Sequence, residues 1–152
     1  MTNNDILRRL RYTFDLSDQQ VIEIFQLANY SVNRPEVVNW LLKEEEEYYQ
    51  PMSDKELALF LNGLINQKRG VKEGPQHEAE EFLNNNQILR KLRIALNFKD
   101  TDMLAVLELA SFPIGKHELS AFFRKPDQGQ YKHAGDQVLR KFLKGLQLKY
   151  RE

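Results

Sequence analysis

Hydrophobic residues recur at helical spacing in eight short stretches of the chain. The first stretch is typical, because its apolar residues lie three or four positions apart, at Ile6, Leu7, Leu10 and Phe14. Capping signals precede several stretches: Asn3-Asn4 before the first, and the capping-box pairs Ser17/Gln20 and Ser53/Glu56 before others. No comparable strand pattern is present. The pattern therefore predicts an all-α fold.

The same order of stretches occurs twice along the chain. With an offset of 82, residues 3–64 align with residues 85–146 without a gap, and 19 of the 62 positions are identical. The segment Asn3–Arg11 corresponds to Asn85–Arg93, and Phe60–Leu64 corresponds to Phe142–Leu146. Such self-similarity indicates an internal duplication. We predict two tandem four-helix repeats, residues 1–69 and 84–152, joined by a linker at 70–83.

Each repeat is small for an independent domain, so we expect the two copies to pack together with approximate two-fold pseudo-symmetry. Gly63 and Gly145 occupy matching positions inside helical patterns, where glycine is unfavourable. Their shared position predicts a close helix crossing. In the linker, residues 78–83 have a composition that predicts one further helical turn.

The amino-acid composition excludes several classes of function. Cysteine is absent, which excludes disulfides, thiol catalysis and cysteine-ligated metals. No apolar run approaches the ~18 residues that a membrane span needs, and the first twenty residues lack the apolar core of a signal peptide. The expected location is cytoplasmic.

Catalytic signals are weak. His77, His117 and His133 lack partners at a metal-ligand spacing, and no phosphate loop or nucleophile motif is present. The acidic run Glu44–Glu47 is typical of a solvated segment. We expect no metal, no cofactor and no catalytic residue, and these features favour a role that is not enzymatic.

The net charge of zero conceals an asymmetry. Residues 1–82 carry 9 Lys+Arg against 15 Asp+Glu, whereas residues 83–152 carry 13 against 7. One basic cluster is duplicated, as Arg8, Arg9 and Arg11 in the first copy and Arg90, Lys91 and Arg93 in the second. Arginine forks suit phosphates. The competing interpretation, which we favour slightly, pairs these residues with recurring acids, for instance Glu36 and Glu118 or Asp54 and Asp136.

The second and third helical stretches of each copy have a helix-turn-helix-like spacing. In the first copy the Glu44–Glu47 run would repel phosphates. The second copy instead carries Lys116, Arg124, Lys125 and Lys132 in the equivalent region. If the chain contacts nucleic acid, we expect these four residues and the duplicated cluster to do so.

Three motifs together point to a known family. They are the paired Asn-Asn-x-Ile-Leu-Arg-[Arg/Lys]-Leu-Arg, the stretch Trp40–Glu45, and Phe-Leu-x-Gly-Leu followed by Lys68-Arg69-Gly70. In this combination the chain resembles the bacterial YehS-like proteins, which carry two copies of a domain of unknown function. The resemblance covers essentially the whole chain. It implies a bacterial cytoplasmic protein and provides no activity, cofactor or catalytic residue to carry over.

The sequence alone assigns no function. Our first hypothesis is a non-catalytic binding or regulatory module that contacts nucleic acid through basic helix faces, mainly in the second repeat. The alternative is a protein-interaction or self-association module that uses the opposite charges of the two repeats. We expect no membrane partner under either hypothesis.

Overall fold

The chain folds into eight α-helices and no strands. The computed structural model describes all residues from 1 to 152. In chain order the helices are α1 (Asn3–Thr13), α2 (Asp18–Leu27), α3 (Arg34–Leu41), α4 (Asp54–Arg69), α5 (Asn85–Leu96), α6 (Asp100–Leu109), α7 (Lys116–Phe122) and α8 (Asp136–Tyr150). The predicted all-α fold of two four-helix repeats is therefore confirmed. None of the helices combines the length and the apolar character needed to cross a membrane.

Local capping explains where most helices begin. The capping boxes predicted at Ser17/Gln20 and Ser53/Glu56 are both formed. The cap predicted for the first helix was wrong by one residue. Thr2 and Asn84 are the N-caps, and Asn3 and Asn85 already lie inside α1 and α5. The asparagine side chains inside the helices are therefore free to bond elsewhere.

The two copies share one core. α4 packs against α5, and α1 packs against α8, so the first helix of each repeat contacts the fourth helix of the other. The outer helices α2 and α6 lie against α4 and α8 of their own repeat. A single cluster of buried apolar residues runs through both repeats. The shared interface is expected for units of this size, because neither could bury enough apolar surface alone.

The two helix-interior glycines lie at the crossing that the sequence predicted. A methyl group at Gly63 would overlap the carbonyl oxygen of Ile24 in α2, and one at Gly145 would overlap the carbonyl of Val106 in α6. Only a residue without a side chain permits this approach of the two backbones. The prediction of a close helix crossing is confirmed.

The linker lies along the seam between α4 and α5. The helical turn predicted for residues 78–83 does not form, and this segment has no helix. Long-range contacts hold it instead: the Leu83 amide donates to Asp54 at 2.9 Å, Glu80 pairs with Lys91 and Glu81 pairs with Lys55. Contacts with the helices therefore replace the local hydrogen bonds of a helical turn.

Candidate functional site

The second asparagine of each duplicated motif is a buried clamp. The amide nitrogen of Asn4 donates to the carbonyls of Trp40 and Gln50 at 3.0 and 2.8 Å, and its oxygen accepts from the Met52 amide at 2.9 Å. Asn86 makes the equivalent bonds to the carbonyls of Phe122 and Lys132 and to the amide of Ala134. These asparagines therefore fix the segment between the third and fourth helices of each repeat.

The first arginine of the duplicated cluster binds the end of the third helix. Arg8 donates to the carbonyl of Leu42 at 2.6 Å and pairs with Asp5 at 3.2 Å. Arg90 donates to the carbonyl of Phe123 at 2.8 Å. A cation is favourable at a helix C-terminus, where carbonyl groups lack partners within the helix. Arg8 and Arg90 therefore satisfy helix ends inside the molecule.

The last arginine of the cluster pairs with the start of the second helix. Arg11 lies 3.5 Å from Asp18, and Arg93 lies 2.7 Å from Asp100. Both acids are the first residues of their helices. The cluster is thus largely paired with acids or carbonyls, but not with the acids proposed from the sequence. Those proposed partners, Glu36, Glu118, Asp54 and Asp136, form no ion pair with the cluster.

The middle position of the cluster differs between the copies. Lys91 is only 12% exposed and lies 3.0 Å from Glu80 of the linker. It also donates to Asn62 of α4 at 2.6 Å. Arg9, its counterpart in α1, makes no ion pair, and its Nη1 atom is buried without a hydrogen-bond acceptor. Arg9 is therefore the one member of the cluster without an acidic or carbonyl partner.

An open basic cleft surrounds Arg9 at the seam between α1 and α8. Two adjoining depressions of about 530 and 230 Å³ share Arg9 and Arg140. We define the basic cleft by its unpaired cations, Arg9, Arg140, Lys141 and Lys144. None of the four contacts a carboxylate, and Arg140 donates only to Gln137 at 3.3 Å.

Sequence reasoning missed three of these four cations, although the internal alignment contained the signal. Arg140, Lys141 and Lys144 stand where the first repeat has the neutral residues Ala58, Leu59 and Asn62. Positions 140, 141 and 144 lie on one side of a helix, because positions three or four apart are neighbours. Three changes from neutral to basic on one helix face indicate a surface at which the two repeats differ.

The four remaining predicted residues are exposed. We call Lys116, Arg124, Lys125 and Lys132 the second-repeat cations; each is solvent-exposed and none pairs with a carboxylate. Asn86 brings part of this set together, because its single amide group binds the carbonyls of both Phe122 and Lys132. The loop that carries Arg124 and Lys125 therefore closes back towards Lys132.

The helix-turn-helix-like pair leading to this loop has an unusual geometry. Six residues, 110–115, connect α6 to α7, whereas a DNA-binding helix-turn-helix has a turn of about three or four residues. α7 itself has 7 residues. The spacing by itself therefore gives little support to DNA reading by α7.

Two carboxyl groups near the α1–α8 seam have altered pKa values. Burial raises the pKa of Asp5, but hydrogen bonds from Thr2 and the charge of Arg8 outweigh it, so the net shift is downward. A hydrogen bond from Asn85 and the nearby N-terminal amino group lower the pKa of Asp136. Met1 lines the same depression as Arg140 of α8.

The fold and these surfaces define an all-α tandem-repeat protein without a recognisable catalytic constellation. The family described as "Protein of unknown function (DUF1456)" matches the chain twice, at residues 3–70 and 85–152, and the chain belongs to this family. It is 42% identical over 147 residues to "Uncharacterized protein YehS" of Escherichia coli (strain K12), which covers 96% of this chain and 94% of that protein. The family resemblance noted in the sequence is thereby confirmed. No solved structure matches the chain.

Proposed function

We propose that this chain is a cytoplasmic, non-catalytic binding or regulatory module that contacts nucleic acid mainly through its second repeat. The observation that carries the proposal is the set of four second-repeat cations, which are exposed and free of carboxylate partners. Exposed lysine and arginine side chains are the groups that bind phosphates and release counterions. A cytoplasmic location agrees with the absence of cysteine.

The proposal assigns a different role to most of the duplicated cluster. Arg8, Arg11, Arg90, Lys91 and Arg93 have acidic or carbonyl partners inside the protein, and recruiting them to phosphates would break those contacts. In this proposal they position the helices and loops that carry the exposed cations. Removing Arg90, Lys91 and Arg93 would therefore confuse lost binding with lost structure.

The test compares two pairs of exposed cations, one pair in each repeat. Arg124→Ala with Lys125→Ala removes charge from the second repeat, and Arg34→Ala with Lys43→Ala removes the same charge from the first. We expect fluorescence anisotropy with duplex DNA, single-stranded DNA and RNA to show binding that weakens steeply with salt. The second-repeat variant should lower the slope of log K against log salt by about 2, and the first-repeat variant should leave it unchanged.

Two results would contradict the proposal. One is the absence of binding to all three nucleic acids at low salt. The other is an equal loss of affinity in both variants, which would indicate a general charge effect and no surface on the second repeat.

The alternative partner is a protein, or a second copy of the chain. Opposite charges already attract each other within the molecule, because Arg151 of the second repeat pairs with Asp15 of the first at 2.7 Å. Glu44–Glu47 and the basic cleft are left without ion partners. The unpaired cations of the basic cleft favour an acidic protein segment as a partner.

A further inference from the structure

The linker shows how this fold holds an acidic segment in the seam between the first helix of one repeat and the fourth helix of the other. At the α4–α5 seam, Glu80 lies 3.0 Å from Lys91 and Glu81 lies 3.2 Å from Lys55. The segment then bonds to the start of α4 through the Leu83 amide. Adjacent carboxylates are thus matched to a cation on each of the two helices.

The α1–α8 seam is the pseudo-symmetric counterpart, and no part of the chain covers it in this way. Arg9 takes the place of Lys91, and Lys144 takes the place of Asn62. At the α4–α5 seam, Asn62 accepts a hydrogen bond from Lys91. At the α1–α8 seam, a second cation, Lys144, stands in place of that acceptor. The buried Nη1 atom of Arg9 has no acceptor, which is costly for a charged group that has lost water.

On balance this seam is more basic than its counterpart, although Gln137 takes the place of Lys55 and Asp5 takes the place of Gln87. Arg140 and Lys141 replace Ala58 and Leu59, of which Leu59 packs against the core. Like charges placed together repel one another unless an anion lies between them. The changes therefore fit a seam that is occupied by an acidic group from outside the chain.

We infer that the basic cleft between α1 and α8 binds an extended acidic peptide segment of a partner protein, with adjacent carboxylates like those of Glu80 and Glu81. The pseudo-symmetric seam already holds a peptide of this chemistry. Apolar groups of Met1, Tyr12 and Leu143 also line the cleft and offer contacts for the intervening side chains. Asp5 on the same wall is neutralised by Arg8. This site contains none of the second-repeat cations, so the inference goes beyond the proposed nucleic-acid function.

The probe is a labelled peptide with the sequence of residues 76–83, titrated into the full chain and followed by anisotropy. The protein for this titration should be prepared without an N-terminal tag, because Met1 lines the cleft. The cleft variant, Arg140→Ala with Lys144→Asn, restores the residues of the first repeat at two exposed positions and should fold normally. The matched control, Arg124→Ala with Lys125→Ala, removes the same charge from the second-repeat cations.

We expect the unmodified chain to bind the peptide in a salt-dependent manner, with affinity about tenfold weaker in the cleft variant. The control should change it less than about twofold. A second peptide has glutamine in place of the three glutamates. The unmodified chain should bind it no more tightly than the cleft variant binds the acidic peptide. Circular dichroism and thermal unfolding would establish that both variants are folded.

Several outcomes would overturn the inference. Undiminished binding in the cleft variant would mean that the peptide exchanges with the linker at Lys91. Duplex DNA that displaces the peptide, and that depends on Arg140 and Lys144 for its own affinity, would make the cleft part of a nucleic-acid surface. A salt-sensitive dimer in light scattering that the cleft variant abolishes would identify a second copy as the occupant.

Discussion

The buried amides of Asn4 and Asn86 have equivalent hydrogen-bond partners in both repeats, whereas Arg9 and Lys91 do not. Each asparagine joins a carbonyl near the end of the third helix to a carbonyl and an amide of the segment that precedes the fourth helix. The amide supplies both the donors and the acceptor that this buried corner of backbone needs. At the scale of single residues, the duplicated motif therefore contains asparagines with the same structural role in both repeats. It also contains one position, Arg9 or Lys91, whose contacts differ between the repeats.

Asn86→Ala should destabilise the protein by about 2–4 kcal/mol, because it leaves the Phe122 carbonyl and the Ala134 amide without their partner in a buried setting. The measurement is urea unfolding followed by circular dichroism. Gln19→Ala, at an exposed helix position, should change the free energy of unfolding by less than about 0.5 kcal/mol. Equal stability of the two variants would show that the clamp contributes nothing.

The helices are positioned by contacts between elements as well as by their own apolar faces. α2 crosses α4 at Gly63, and α6 crosses α8 at Gly145, each glycine lying against a backbone carbonyl of the outer helix. The linker has no counterpart in the other half of the molecule. It covers the α4–α5 seam, and no equivalent segment covers the α1–α8 seam. The helix crossings thus follow the pseudo-symmetry of the two repeats, whereas the linker makes their surfaces different.

Gly145→Ala should lower the free energy of unfolding by about 1–3 kcal/mol, because the added methyl group forces α6 and α8 apart. This loss would exceed the gain of about 1 kcal/mol expected from replacing a helical glycine. Gly129→Ala is the control, since nothing lies near its added methyl group, and it should be neutral or slightly stabilising. Urea denaturation measures both, and a stabilised Gly145→Ala variant would refute the close crossing.

The continuous core predicts that the whole molecule unfolds as one unit. The helices at the centre belong to both repeats, and one apolar cluster includes residues from all eight helices. The single tryptophan, Trp40, is buried in the first repeat. Its fluorescence therefore reports on one repeat while circular dichroism reports on both.

Met103→Ala, in the core of the second repeat, should reduce stability by about 2–5 kcal/mol. Because the core is shared, Trp40 fluorescence and circular dichroism should shift together to the same lower urea midpoint. Glu108→Ala, exposed on the same helix, should leave both midpoints in place. A Trp40 transition that stays at its original midpoint while part of the circular dichroism signal shifts would mean that the repeats unfold independently.

Local patterns in the sequence determined the helical class, the number and order of the helices, the duplication and the glycine crossing. Apolar periodicity and capping boxes act within a few residues, so they can be recognised without the fold. The exceptions are informative. Asn3 has the residue type of a helix cap, but its amide donates to the Met52 carbonyl and to Asp54, which lie about fifty positions away.

Only the tertiary structure decided which cations are free to bind a partner. Arg90 and Phe123 are 33 positions apart, and Lys91 and Asn62 are 29 apart, so no local pattern reveals that these charges are engaged. The basic cleft likewise joins Arg9 near the start of the chain to Lys144 near its end. Charge pairing depends on distances of a few ångströms in space, and the packing of α1 against α8 sets those distances.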